Sequence, residues 1–104
     1  MANIQLNYLY RDGGNYKKYY SVIFANPTNM TLIELSKLIH SKLIDGIWFY
    51  ADQWNLPDLR GETFNSDTNP TWHEFESINY TDESVTFSYN IGQFIANIIP
   101  FSFY

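Results

Sequence analysis

The stretch MTLIELSKLIHSKLIDGIWFYADQWNLPDL, from Met30 to Leu59, ties an amphipathic helix directly to an aromatic strand and restricts the available folds more than any other part of the chain. Thr31 and Glu34 have capping-box spacing, the hydroxyl accepting from the Glu34 amide while the carboxylate reaches back, and Met30 with Leu35 suits a hydrophobic staple. At about 100° per residue, Leu32, Leu35, Ile39 and Leu43 share one arc with Leu38 beside it, and Glu34, Lys37 and Ser41 lie opposite. One face should pack on a sheet. Asp45-Gly46 is the expected helix stop, because glycine tolerates left-handed closing geometry. The apolar run Ile47 to Ala51, with Trp48 near its head, then predicts a central strand covered on both sides.

The flanking segments read as what covers that unit. Ile4, Leu6, Tyr8 and Tyr10 alternate with Gln5, Asn7 and Leu9, the period of a half-buried strand from Asn3 to Tyr10. Arg11-Asp12-Gly13-Gly14-Asn15 breaks the alternation, its glycines offering the positive φ of a hairpin turn, and Lys18 to Ala25 should return antiparallel. Asn26-Pro27-Thr28-Asn29 ends that strand. Beyond Asp52 the pattern dissolves into a polar loop reaching Pro70, with Trp54, Leu56 and Leu59 tethering its start. Trp72 to Tyr80 predicts a strand in which Trp72, Phe75 and Ile78, three apart, cannot share one face without a bulge. Val85, Phe87 and Tyr89 predict a last strand. Ile91, Phe94, Ile95, Ile98 and Ile99 then take helical spacing behind an Asn90 cap, and Pro100 stops the helix. The expectation is one α+β domain over residues 1–104, a two-layer fold in β-β-α-β-β-β-α order with about five mainly antiparallel strands and the first helix across one face.

A chain of 104 residues can bury one substantial core, and with nine Tyr, eight Phe and three Trp that core should be aromatic-rich. The absence of cysteine removes disulfides and thiolate zinc sites and is consistent with a reducing compartment. Neither a signal-peptide pattern nor a membrane-length apolar run occurs, so the expected location is cytoplasmic. The net charge of −5 is uneven: Met1 to Ile44 carries five basic and two acidic residues (+3), and Asp45 to Tyr104 one basic and nine acidic (−8). Such a surface repels nucleic acid, attracts basic proteins and keeps an aromatic chain in solution.

His73-Glu74-Phe75-Glu76 is the densest candidate for chemistry, since a strand would set two carboxylates on one face beside an imidazole, a set able to do acid–base work or hold a hard cation. The competing account is a solvated acidic strand face. A zincin helix needs two histidines one turn apart, whereas the only other histidine is His40. Asp45, Asp52 and Asp58 lack the alternate spacing of a calcium loop and read as an acidic rim. Tyr16-Lys17-Lys18-Tyr19-Tyr20 interleaves bases with aromatics as single-strand platforms do, but six basic residues against eleven acidic favour a solvated hairpin edge. No phosphate-binding glycine motif or nucleophile elbow is present, and no cofactor is expected.

The stretches NYKKYYSVIFANP, TLIELSKLIHSKLIDGIWFYADQWNLPDL and TWHEFESINYTDE together resemble a family of short acidic bacterial and mobile-element proteins. The shared pattern is N-Y-K-x-Y, a Leu-Ile-Asp-Gly helix end, a Trp-x-x-Pro-Asp-Leu loop and Trp-His-Glu-Phe-Glu-Ser, over roughly Leu6 to Glu83. What the resemblance implies is a phage-versus-host (anti-CRISPR-like) or toxin-immunity factor that binds a protein target. The expectation is therefore a non-enzymatic inhibitor docking on a basic, nucleic-acid-handling protein through Trp54, Asp58, Trp72, Glu74 and Glu76. Two alternatives stand beside it: a metal- or nucleotide-dependent enzyme using His73, Glu74 and Glu76, and a homo-oligomeric accessory module, with the apolar tail Pro100 to Tyr104 able to join a homodimer.

Overall fold

The computed structural model describes residues 2–60 and 71–98. They form strands β1 (Asn3–Arg11) and β2 (Lys17–Phe24), helix α1 (Leu32–His40), strands β3 (Trp48–Phe49) and β4 (His73–Thr81), and helix α2 (Ile91–Asn97). The four strands make one antiparallel sheet in the order β2-β1-β4-β3, and both helices contribute to a core on one of its faces. The fold is α+β, with four strands where five were expected.

Alternation in β1 works as its sequence suggests. Ile4, Leu6, Tyr8 and Tyr10 are buried on the inner face opposite Phe24, Val22 and Tyr20 of β2 and Tyr80, Ile78 and Phe75 of β4. The outer face carries an amide and hydroxyl cluster, in which Asn7 Nδ2 donates to Ser77 Oγ (3.0 Å) and Asn79 Oδ1 (2.9 Å) and Ser21 Oγ donates to Asn7 Oδ1 (2.6 Å). A bulge interrupts β4. Asn7 pairs with Ser77 and Tyr8 with Phe75, so Glu76 faces no partner and Phe75 and Ile78 both point inward.

The turn after β1 departs from expectation in its chemistry. The left-handed residue is Asn15 (φ 65°), not a glycine, and Asp12 Oδ1 accepts from the amides of Gly14 and Tyr16, both at 2.9 Å. Asn26 closes the next connection by pairing its side-chain amide with Met30 N and O at 3.0 Å. The Thr31–Glu34 capping box is formed, and Leu35 and Ile39 are fully buried. The helix nevertheless ends at His40 with Ser41 as its cap, one turn before Asp45-Gly46. Those two residues, at φ 53° and 71°, instead make the tight turn that lets Ile44 bridge to Trp48.

The aromatic strand lies at the sheet edge rather than its centre. Only Trp48 and Phe49 pair, with Glu74 and His73, because the chain then coils into turns stabilised by Trp54 N donating to Tyr50 O (3.2 Å) and Leu56 N to Ala51 O (3.0 Å). The strand expected at Val85 to Tyr89 is also absent. Thr86 N and Phe87 N both donate to Ile23 O while Thr86 Oγ1 accepts from Ile23 N, so a side chain replaces the backbone carbonyl a ladder would use. Phe87 can then drop onto Phe24 with ring centroids 4.8 Å apart. Helix α2 has the expected Asn90 cap, completed by Gln93, and buries Ile91, Phe94 and Ile95. The stop at Pro100 and the tail to Tyr104 lie outside the described residues, as does the loop 61–70.

Because the Thr31 hydroxyl satisfies an otherwise orphan amide, Thr31→Ala should lower unfolding free energy by about 1 kcal/mol, with Thr31→Ser retaining most of it in urea titrations.

Candidate functional site

The sheet separates the residues that the sequence sets side by side. Pairing of Phe49 with His73 places His73 on the inner face; pairing of Trp48 with Glu74 places those two on the outer face. His73 and Glu74 therefore point to opposite sides, and Glu76 is exposed at the bulge. Among the described residues no group of three His, Asp or Glu side chains is placed to hold a metal ion.

His73 is an interior residue, 1% exposed among the rings of Tyr8, Tyr10 and Phe49. Its Nε2 accepts from the Leu59 amide at 3.0 Å, which leaves the imidazole proton on Nδ1, a buried atom with no hydrogen-bond partner. Burial pushes the imidazole down from 6.5 to about 4, outweighing the opposing pull of Asp58. At neutral pH the 3.6 Å separation of Nε2 and Asp58 Oδ1 is thus not an ion pair. Asp58 is engaged by Arg60 through contacts of 2.6–3.0 Å, and these hydrogen bonds hold its carboxyl below the usual range. With Tyr8 Oη donating to Pro57 O at 2.7 Å, this set fastens segment 57–60 to the sheet.

Of the residues expected to bind a partner, Trp54 is not available at the surface. It is 1% exposed and stacked on Phe49, with centroids 4.5 Å apart and planes at 25°. Asp58 is exposed but carries its own cation. Glu74 is clasped by Arg11, with Nε–Oε2 at 2.7 Å and Nη2–Oε1 at 3.3 Å. Trp72 is 39% exposed and stands 6.1 Å from Trp48, centroid to centroid, with planes at 56°.

Trp72 and Trp48 belong to a cleft of about 180 Å³ at the β3 edge, completed by Ile44 and Tyr50. The sequence contains one signal for it. Trp48 and Tyr50 flank Phe49 at a spacing of two, so a strand sends them away from the core that Phe49 enters. Ile44 is added by the turn at Asp45-Gly46, and Trp72 by its place immediately before β4. Four large side chains from three segments make a concave apolar surface beside the Arg11–Glu74 pair, suited to an anchoring group.

No family model matches the chain, and neither a curated protein nor a solved structure matches it. Among the described residues no helix is long and apolar enough to cross a membrane.

The buried imidazole makes a pH prediction. Its folded pKa lies below its unfolded value, so its contribution is complete above pH 6.5 and is lost as pH falls through 4. That loss amounts to about 3 kcal/mol. His73→Gln, which keeps an acceptor for Leu59 N but does not titrate, should show a correspondingly flatter stability profile over that interval in denaturant titrations. Trp54→Ala should cost about 3–5 kcal/mol and Trp72→Ala under about 1 kcal/mol, because only the first opens a cavity in the core.

Proposed function

We propose that this protein is a non-enzymatic binding protein that docks on a basic protein surface through the β3 edge, with the Trp48–Trp72 cleft at the centre of the contact. The observation that carries the reading is the cleft itself: two tryptophans partly exposed and converging on a concave apolar surface, where anchor side chains of an interface concentrate. The charge balance sets the sign of the partner. Every residue of the cleft except Ile44 belongs to the half of the chain with net charge −8, counted as one basic and nine acidic residues. A segment this acidic favours encounter with a cationic face and disfavours nucleic acid. The cytoplasm is the compartment where such a partner, a nucleic-acid-handling protein of a defence or toxin system, would be met and blocked.

The test is capture of partners from host lysate with the tagged protein, beside Trp72→Ala and Glu76→Lys variants, followed by affinity measurement on the purified partner. The expected outcome is one basic protein whose affinity falls at least about tenfold with Trp72→Ala and declines as salt is raised from roughly 0.05 to 0.3 M. Affinity indifferent to both salt and Trp72 would overturn the proposal.

A further inference from the structure

Resting on that docking reading, we infer that the cleft formed by Ile44, Trp48, Tyr50 and Trp72 receives an arginine side chain of the basic partner, its guanidinium against the two indole faces. Trp48 and Trp72 meet at 56° with centroids 6.1 Å apart, so they form an open angle rather than a closed stack, and a planar cation can lie against one ring while touching the other. Tryptophan is the strongest aromatic host for a cation, and guanidinium, more weakly hydrated than ammonium, loses less on entering an apolar cleft. The volume of about 180 Å³ exceeds what a bare head group needs and leaves space for an aliphatic stem, which Ile44 and Tyr50 would cover.

Charge complementarity selects the cation over a neutral aromatic or aliphatic anchor. The turn joining Ile44 to Trp48 carries the exposed carboxylate of Asp45, which has no ion-pair partner among the described residues. Glu74 lies directly across from Trp48 on the same face. Its carboxylate is already held by a guanidinium, that of Arg11, with both nitrogen–oxygen contacts in place. The Arg11–Glu74 pair is thus electrically balanced, and the unpaired negative charge next to the cleft is that of Asp45, one residue from Ile44.

The probe is N-acetyl-argininamide, with N-acetyl-citrullinamide as its uncharged isostere, titrated into the full chain while indole N–H resonances are followed by two-dimensional NMR. Trp54 serves as an internal control because it is buried in the core. The expected result is a saturable shift of the Trp48 and Trp72 resonances with Trp54 unmoved, at least about tenfold weaker for the citrulline compound. Trp72→Leu, which keeps apolar bulk and removes the ring, should abolish the response while the Trp54 resonance confirms the fold. Equal response to both compounds, retention of the response in Trp72→Leu, or no response overturns the arginine assignment. A shift that depends on protein concentration alone identifies a second copy as the occupant and overturns it as well. The two readings fail separately: capture of a basic partner with no argininamide response leaves docking intact, whereas an argininamide response without any captured partner removes docking.

Discussion

Ring-to-ring contact across the inner face of the sheet holds this fold together. Phe87 meets Phe24, Phe24 meets Phe94, Phe94 meets Trp54, Trp54 stacks on Phe49, and Phe49 meets Tyr8 and His73, at centroid separations from 4.5 to 6.0 Å. The chain of rings links β2, β1, β4 and β3 to α2 and to both irregular segments. Aromatic pairs contribute geometric preference in addition to buried area, roughly 0.5–1.5 kcal/mol each, so segments without a hydrogen-bonded ladder can still hold one position. Ala51 to Leu56 and Thr86 to Tyr89 are such segments. Neither is helix or strand; the first is fixed by Trp54 inserted into the core and the second by Phe87 packed against it.

This dependence explains which parts of the fold were legible in the sequence. The Thr31–Glu34 box and the Asn90 cap lie within a few residues of the helices they start, and the alternation of β1 needs only neighbours to be read. The bulge in β4 was legible in part: the spacing of Phe75 and Ile78 needs one if both are to turn inward, whereas Trp72, the third of that set, faces outward. The aromatic run at residues 47–51 misled because hydrophobicity reports burial but not position in a sheet: Phe49 is buried by the core, while Trp48 and Tyr50 are only half-buried at the edge. At Val85 to Tyr89 the alternation was genuine, yet Thr86 spent its hydroxyl on Ile23 N and left no regular ladder to extend.

Site residues were legible to a lesser degree. Adjacency made His73, Glu74 and Glu76 look like one cluster, but strand geometry sends consecutive residues to opposite faces, and an amide 14 positions upstream captured the imidazole. Trp54 and Trp72 looked equivalent as large aromatics near a polar loop. Their separation into core and surface depends on Phe49, which stacks on Trp54, and on the outward direction of the position before His73. The cleft draws on residues spread from 44 to 72 and is created by the fold, with the spacing of Trp48 and Tyr50 as its only local trace.

Glu76 at the bulge has a further consequence for how this chain tolerates changes in length. The pairings on either side of it, Asn7 with Ser77 and Tyr8 with Phe75, are those of a regular strand into which one residue has been inserted. Removing Glu76 would let the two halves of β4 join without altering which side chains enter the core. Elsewhere along the strand, losing one residue reverses inside and outside for everything beyond it. The bulge thus stores one spare residue in the middle of the sheet, and with it the freedom to shorten by one without refolding.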